Sequence, residues 1–104
     1  MEPLTPAVFH ILLALFPGER HGYAIMQEVS ETFPMGPGTL YGTIKRLLAA
    51  KLIEEAGERP DPALNDERRR YYRLTAAGKR AVEAEAKRLQ SLVRLAKSKA
   101  VFTS

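Results

Sequence analysis

Six basic residues, Arg68, Arg69, Arg70, Arg73, Lys79 and Arg80, fall in a stretch that holds no acidic residue. Tyr71 and Tyr72 sit among them, followed by Leu74 and Thr75. Guanidinium groups grip oxyanions through planar, paired N–H donors. A run of them in a strand-prone, aromatic context suits a phosphate polymer. The charge is unevenly spread. The net charge is +4, but residues 1–44 carry one basic residue (Arg20) and four acids (Glu2, Glu19, Glu28, Glu31), while residues 45–104 carry fifteen basic residues and eight acids. Such asymmetry points to a polyanionic partner; a solvated charged surface is the plainer alternative.

Other chemistry finds few residues to work with. There is no cysteine, which excludes disulfides and thiolate metal sites. His10 and His21 are the two histidines, and neither has the neighbours of a metal site. Gly36-Pro37-Gly38 is too short for a phosphate cradle, and its proline lacks an N–H. The acids are scattered over expected solvent faces. No catalytic residue, metal or cofactor is expected, so the chain reads as a non-enzyme. No apolar run approaches ~18 residues, which excludes a spanning helix. Met1 to Phe16 has Glu2 ahead of its apolar stretch and no basic leader, so no signal peptide and a cytoplasmic location are expected. A chain of 104 residues makes one domain whose core is marginal alone, so self-association is expected.

The elements that must position these groups follow from spacing. Thr5-Pro6 is an N-cap followed by a first-turn proline. Val8, Ile11, Leu12 and Leu15 recur at helical spacing, predicting a helix over about 5–16 that Pro17-Gly18 ends. Tyr23, Ile25, Met26, Val29 and Phe33 predict a second helix from His21 or Gly22 to Phe33. A turn over 34–38 leads to a third, from Gly38-Thr39 to about Lys51, with Leu40, Ile44, Leu47 and Leu48 as its apolar stripe. A short strand begins at Leu52. A polar loop over 58–67, with Pro60 and Pro62, forms the tip of a hairpin, and 69–74 return as the second strand. Alternation puts Tyr71 and Arg73 on one face of that strand, and Tyr72 and Leu74 on the other. Thr75 caps a last helix running to about Lys97. Val82, Ala86, Leu89, Val93 and Ala96 mark a heptad-like seam on it, expected to bury against a second copy, with packing onto its own domain as the alternative. The tail from Ser98 is expected to fray.

Helix, helix, helix, strand, strand, long helix is the order of a winged helix-turn-helix. The fold class is therefore mainly α with a small two-stranded β wing. Residues 1–74 are expected to form the DNA-binding domain, and 75–104 the C-terminal dimerisation helix and tail. The outer face of the third helix holds small and basic residues and no acid, so it can enter the ~12 Å major groove. Thr39, Gly42 and Thr43 are expected nearest base edges, with Lys45 and Arg46 on bases or phosphates. Arg68, Arg69 and Arg70 are expected to grip the backbone. Tyr23 and Tyr41 either seal the core edge or reach a phosphate. The N–H groups at Gly22 and Gly38 also favour phosphate.

Three segments in register resemble the PadR family of bacterial transcriptional regulators: His21 to Ile25, Gly38 to Leu47 with Leu52-Ile53, and Arg69 to Gly78. The match runs over about residues 5–80, and the single following helix is similar to the short-tailed branch. The resemblance implies a homodimeric repressor of an inverted-repeat operator in double-stranded DNA. It implies dimerisation through the last helix, with help from the first. It also implies, for some members, release by a small aromatic or drug-like effector between protomers. Two positions depart from the family. Gly42 stands where Pro is often found, and Lys51 where Gly usually ends the recognition helix. Lys51 therefore implies another helix ending, or a strained one.

Phe9, Leu12, Phe16, Leu89 and Val93 are the residues expected to line an effector pocket, with a dry dimer core as the alternative. The rival from another class is a winged-helix protein-interaction module without specific DNA binding. An acidic or bulky apolar face on the third helix would favour it, and this face is neither.

Overall fold

The structure, a computed structural model, describes residues 3–60 and 68–102. The order is α1 (Pro6–Leu15), β1 (Arg20–His21), α2 (Gly22–Ser30), α3 (Pro37–Ala49), β2 (Ile53–Pro60), β3 (Arg68–Leu74) and α4 (Ala76–Ser98). The helices and the hairpin stand where the spacing predicts, except that α2 ends at Ser30 and not at Phe33. The sheet has three strands rather than two, in the order β1-β3-β2, all antiparallel. The added strand is Arg20–His21, which pairs with Tyr72 and Tyr71 and ties the wing to the start of α2. Two residues show no alternation, so only long-range pairing defines them. Residues 61–67, most of the expected hairpin tip, and the end of the tail lie outside the described residues.

Each helix start has a local cause. Thr5 Oγ1 accepts from the Val8 N–H at 3.3 Å, and Thr75 Oγ1 accepts from the Gly78 N–H at 3.1 Å. His21 caps α2 through Nδ1, which accepts from the Ala24 N–H at 3.1 Å. This requires the tautomer with its proton on Nε2. α3 begins at Pro37, one residue ahead of the expected start, with proline in the first turn.

α3 ends in a strained turn. Lys51 has φ 60°, the left-handed region. The Leu52 N–H reaches back to Leu47 O and the Lys51 N–H to Leu48 O, both at 3.1 Å, which is the Schellman pattern. Of the two endings that Lys51 implied, the strained one is present. The same corner receives α4. Thr75 Oγ1 donates to Lys51 O at 2.7 Å, and the Thr75 N–H to Leu52 O at 3.1 Å. Gly78 then passes so close that a β-carbon would sit 2.0 Å from Leu52 O. No other residue fits there.

Ile11, Leu12 and Leu15 from α1, Ile25 and Val29 from α2, and Leu40, Ile44 and Leu47 from α3 form the core with Ile53, Tyr72, Leu74, Ala81 and Val82. Val82, expected at the dimer seam, instead packs into its own chain. The stripe it begins continues along the helix, but the domain beneath it ends one turn later, at the buried Glu85. From residue 86 onward α4 runs past the core. The long dimension of 52 Å and radius of gyration of 15.7 Å record this overhang; a compact chain of this length has about 13 Å. Leu92, Val93 and Leu95 are exposed there, as are Val101 and Phe102 beyond the helix. Among the described residues, no helix is long and apolar enough to cross a membrane.

Candidate nucleic-acid interface

The wing, the start of α2 and one flank of α3 meet in a cleft of about 150 Å³ lined by His21, Gly22, Tyr23, Tyr41, Arg68, Arg69, Arg70 and Tyr72. Three expected arginines and both expected tyrosines are thus brought together. β1 makes this possible by pairing with β3, which seats the arginine end of the wing beside the N-terminus of α2. The first-turn N–H groups of α2 add partial positive charge to the cleft.

Each side chain has a definite seat. Tyr41, 46% exposed, lies against Gly22, where a β-carbon would come 2.7 Å from the Tyr41 ring carbon Cε1 and 2.9 Å from its hydroxyl oxygen. Arg69 holds its guanidinium 5.6 Å from the Tyr23 ring centroid, at the outer range of a cation–π contact. Tyr72 is the buried one of the two wing tyrosines, and burial pushes its phenol above the ordinary value, against the opposing charge and hydrogen bond of Arg70. It therefore stays neutral and donates or accepts as a hydroxyl. Tyr71, on the other face, is half-buried. The Arg59 guanidinium lies 3.6 Å from its ring centroid, and the His21 ring meets it edge-on at 5.3 Å. Arg59 is fixed further by an ion pair with Glu19 and a 3.1 Å bond to Ala56 O.

The outer face of α3 is open. Thr39, Gly42, Lys45 and Arg46 are exposed, and nothing lies within 4 Å of where a Gly42 β-carbon would stand. Thr43 is not on this face. It is 1% exposed, its hydroxyl donates to Thr39 O at 2.8 Å, and it accepts from Arg46 Nη2 at 3.2 Å. Its position on the helix falls between Leu40 and Leu47, inside the buried arc, so its hydroxyl is turned to Arg46 and the helix backbone and away from the outer face expected for it. Arg46 turns toward the opposite flank from Tyr41. There it borders a wider depression of about 400 Å³, shared with Pro3, Leu4, Thr5, Val8, Leu47, Ala50 and Leu52.

The residues expected to line an effector pocket have different surroundings, Leu89 being half-buried on α4. Leu12 is wholly buried in the core, which takes it out of reach of any ligand. Phe9 packs against the core edge, Phe16 lines a shallow depression with Arg73 and Lys79, and Val93 is exposed on the far part of α4. Sequence reading missed the acids of β2, Glu54, Glu55 and Glu58, as partners of the wing arginines. Their place follows from strand register, which no local pattern encodes.

The profile of the PadR-like family of transcriptional regulators matches residues 11–84. The chain belongs to this family. It is 35% identical over 86 residues to a transcriptional regulator of Mycobacterium tuberculosis, covering 82% of this chain and 77% of that one. It is 37% identical over 78 residues to an uncharacterised 37.1 kDa protein in a transposon of Streptomyces fradiae, 73% of this chain but only 21% of that protein's length. Among solved structures, a PadR family regulator from Clostridium difficile superposes with TM-score 0.78 at 24% identity, over 92% of this chain and 99% of that one. Bacillus subtilis PadR in complex with operator DNA gives 0.65 at 22%, over 79% and 47%. At these identities the two establish the fold alone. Bordetella bronchiseptica BpsR, solved in a study of how 6-hydroxynicotinic acid regulates its DNA binding, gives 0.67 at 28%, over 88% of this chain and 63% of that one.

Proposed function

We propose that this PadR-family regulator is a homodimeric repressor that binds an inverted repeat in double-stranded DNA. The observation that carries the reading is the cleft where Arg68, Arg69 and Arg70 face Tyr23 and Tyr41 beside the open face of α3. A DNA backbone phosphate fits its charge and size. Gly42, Thr39 and Lys45 then meet base edges in the major groove, and Arg46 meets the flanking backbone. The operator complex of Bacillus subtilis PadR supports the class of partner.

The DNA-binding unit in this reading extends past the expected boundary at residue 74, through the buried first turns of α4. The remainder dimerises through Ala86, Leu89, Val93 and Ala96, joined by Leu92. On that surface Leu92 and Val93 are exposed, and Leu89 and Ala96 are partly buried. A two-fold dimer sets its α3 helices roughly 34 Å apart, one turn of DNA. A small aromatic effector, for which BpsR is the precedent, sits between protomers, where Phe9, Phe16, Leu89 and Val93 are available and Leu12 is not. Action on chromosomal DNA places the protein in the cytoplasm.

Fluorescence anisotropy against DNA from upstream of its own gene, with random duplex as competitor, tests the reading alongside sedimentation velocity. A dimer that prefers the upstream DNA is the expected result. A monomer, or binding without preference, contradicts it and favours the protein-interaction module.

A further inference from the structure

The arginines of the wing already have carboxylate partners. Strand alternation sets Arg68, Arg70 and Tyr72 on one face of β3 and Arg69 on the other, and all four border the cleft. In register, Glu55 pairs with Tyr72 and Glu58 with Arg70. Glu55 and Glu58 are three residues apart, so a regular strand would put them on opposite faces. A bulge between Glu55 and Gly57 inserts one residue, with Gly57 at φ 106°, a conformation suited to glycine. Both acids therefore share the face of Arg68 and Arg70. Arg70 Nη1 lies 3.6 Å from Glu55 Oε1, and Arg68 Nε lies 3.6 Å from Glu58 Oε1.

These two pairs differ from the other pairs of the wing. Arg73 bonds Glu54 at 2.9 Å on the opposite face, and Arg59 is held by Glu19, Tyr71 and a carbonyl; Arg68 also donates to a carbonyl, Glu58 O at 3.0 Å, so what sets its pair apart is the long contact between the charged groups. The Arg68 and Arg70 pairs are long, and their side chains are 52–61% exposed. Exposed pairs of this kind are weak and exchange readily. A phosphate entering the cleft can take each arginine, but it must displace a carboxylate that stays close by.

We propose that Glu55 and Glu58 are specificity-determining residues that compete with DNA phosphate for Arg70 and Arg68. The inference rests on the DNA-binding reading above. Non-specific DNA offers almost nothing but phosphate, so the competition suppresses it most directly. An operator adds base contacts from α3, which the acids do not touch. The bulge at Gly57 is the device that delivers the second acid to the right face.

The test measures random-duplex affinity over a salt series for the wild type, Glu55→Gln with Glu58→Gln, and a control, Glu31→Gln with Glu83→Gln. The control removes the same charge from exposed positions outside the wing, at the C-cap of α2 and on α4. The expected result is about 25-fold tighter binding for the wing variant, from about fivefold per exposed carboxylate near a phosphate. Its plot of log affinity against log salt should steepen by about one to two units, while the control moves little. An unchanged affinity and slope would overturn the proposal. So would equal gains in both variants, which would reduce it to net charge. Weaker binding at an unchanged melting temperature would also overturn it, because the acids would then be positioning the arginines productively. If the wild type binds no duplex with salt dependence, the DNA-binding reading itself has failed, a distinct outcome.

Discussion

Tyr41 lies against the backbone of Gly22, so closely that a β-carbon on Gly22 would come 2.7 Å from its ring. α2 thus starts with glycine because α3 lays an aromatic ring across it. The contact fixes the Tyr41 hydroxyl at the mouth of the arginine cleft. Gly22→Ala should push the ring outward. The ring end is half-exposed and can move, so the stability change should stay within about 1 kcal/mol. DNA affinity should fall severalfold. A thermal melt with an anisotropy titration checks both, and unchanged affinity would show that the Tyr41 seat does not matter to binding.

Gly42 has the opposite surroundings. It sits inside α3 with no neighbour that a side chain would meet. A mid-helix glycine costs roughly 0.5–1 kcal/mol relative to alanine, and nothing inside the molecule explains it. Gly42→Ala should therefore raise stability by about that amount in denaturant unfolding while weakening operator binding. A variant that is stabilised and binds equally well would remove Gly42 from the interface.

Lys51 adopts φ 60° to close the Schellman turn at the end of α3. A left-handed conformation costs a non-glycine residue about 1–2 kcal/mol, part of which glycine loses again through the entropy of its unfolded chain. Lys51→Gly should stabilise the fold by about 0.5–1 kcal/mol, read as a higher urea midpoint at constant slope. A lower midpoint would mean that the lysine side chain contributes more than its backbone strain costs.

Glu85 is the buried acid of α4. Its hydrogen bond from Arg88, helped by the Leu4 N–H, holds its carboxyl below the usual range despite the opposing effect of burial. A carboxylate whose pKa is lowered on folding contributes stability above its unfolded pKa of about 4.3 and loses it as pH falls through the folded value. Wild type should therefore lose stability on acidification through and below about pH 4.3, and Glu85→Gln should lose less over that interval. Melting temperatures from pH 7 down to 3 check this; parallel curves would contradict it.

The helices and hairpin were readable because each rests on local chemistry. Caps at Thr5 and Thr75, the Leu40–Leu47 stripe and the alternation of Tyr72 and Leu74 all act within a few residues. What failed to read was non-local. Arg20–His21 is a strand only because β3 lies beside it. Val82 and Leu12 belong to apolar stripes, and a stripe does not say where its own core ends and a partner begins. Thr43 looked polar and outward, yet its hydroxyl is satisfied inside the helix by Thr39 O, so burial is cheap. Of the candidate site, the arginines and tyrosines were legible. The acids that face them depend on a bulge at Gly57 that spacing conceals.

In the proposed complex the wing arginines meet phosphate in the cleft. The most direct measurement is the salt dependence of binding to DNA from upstream of the gene, for wild type and for Arg69→Ala with Arg70→Ala. The variant should bind more weakly to every sequence, with a slope flatter by about one to two units and its preference for the upstream DNA largely retained. A slope equal to that of the wild type would contradict the account, since these arginines would then be touching no phosphate.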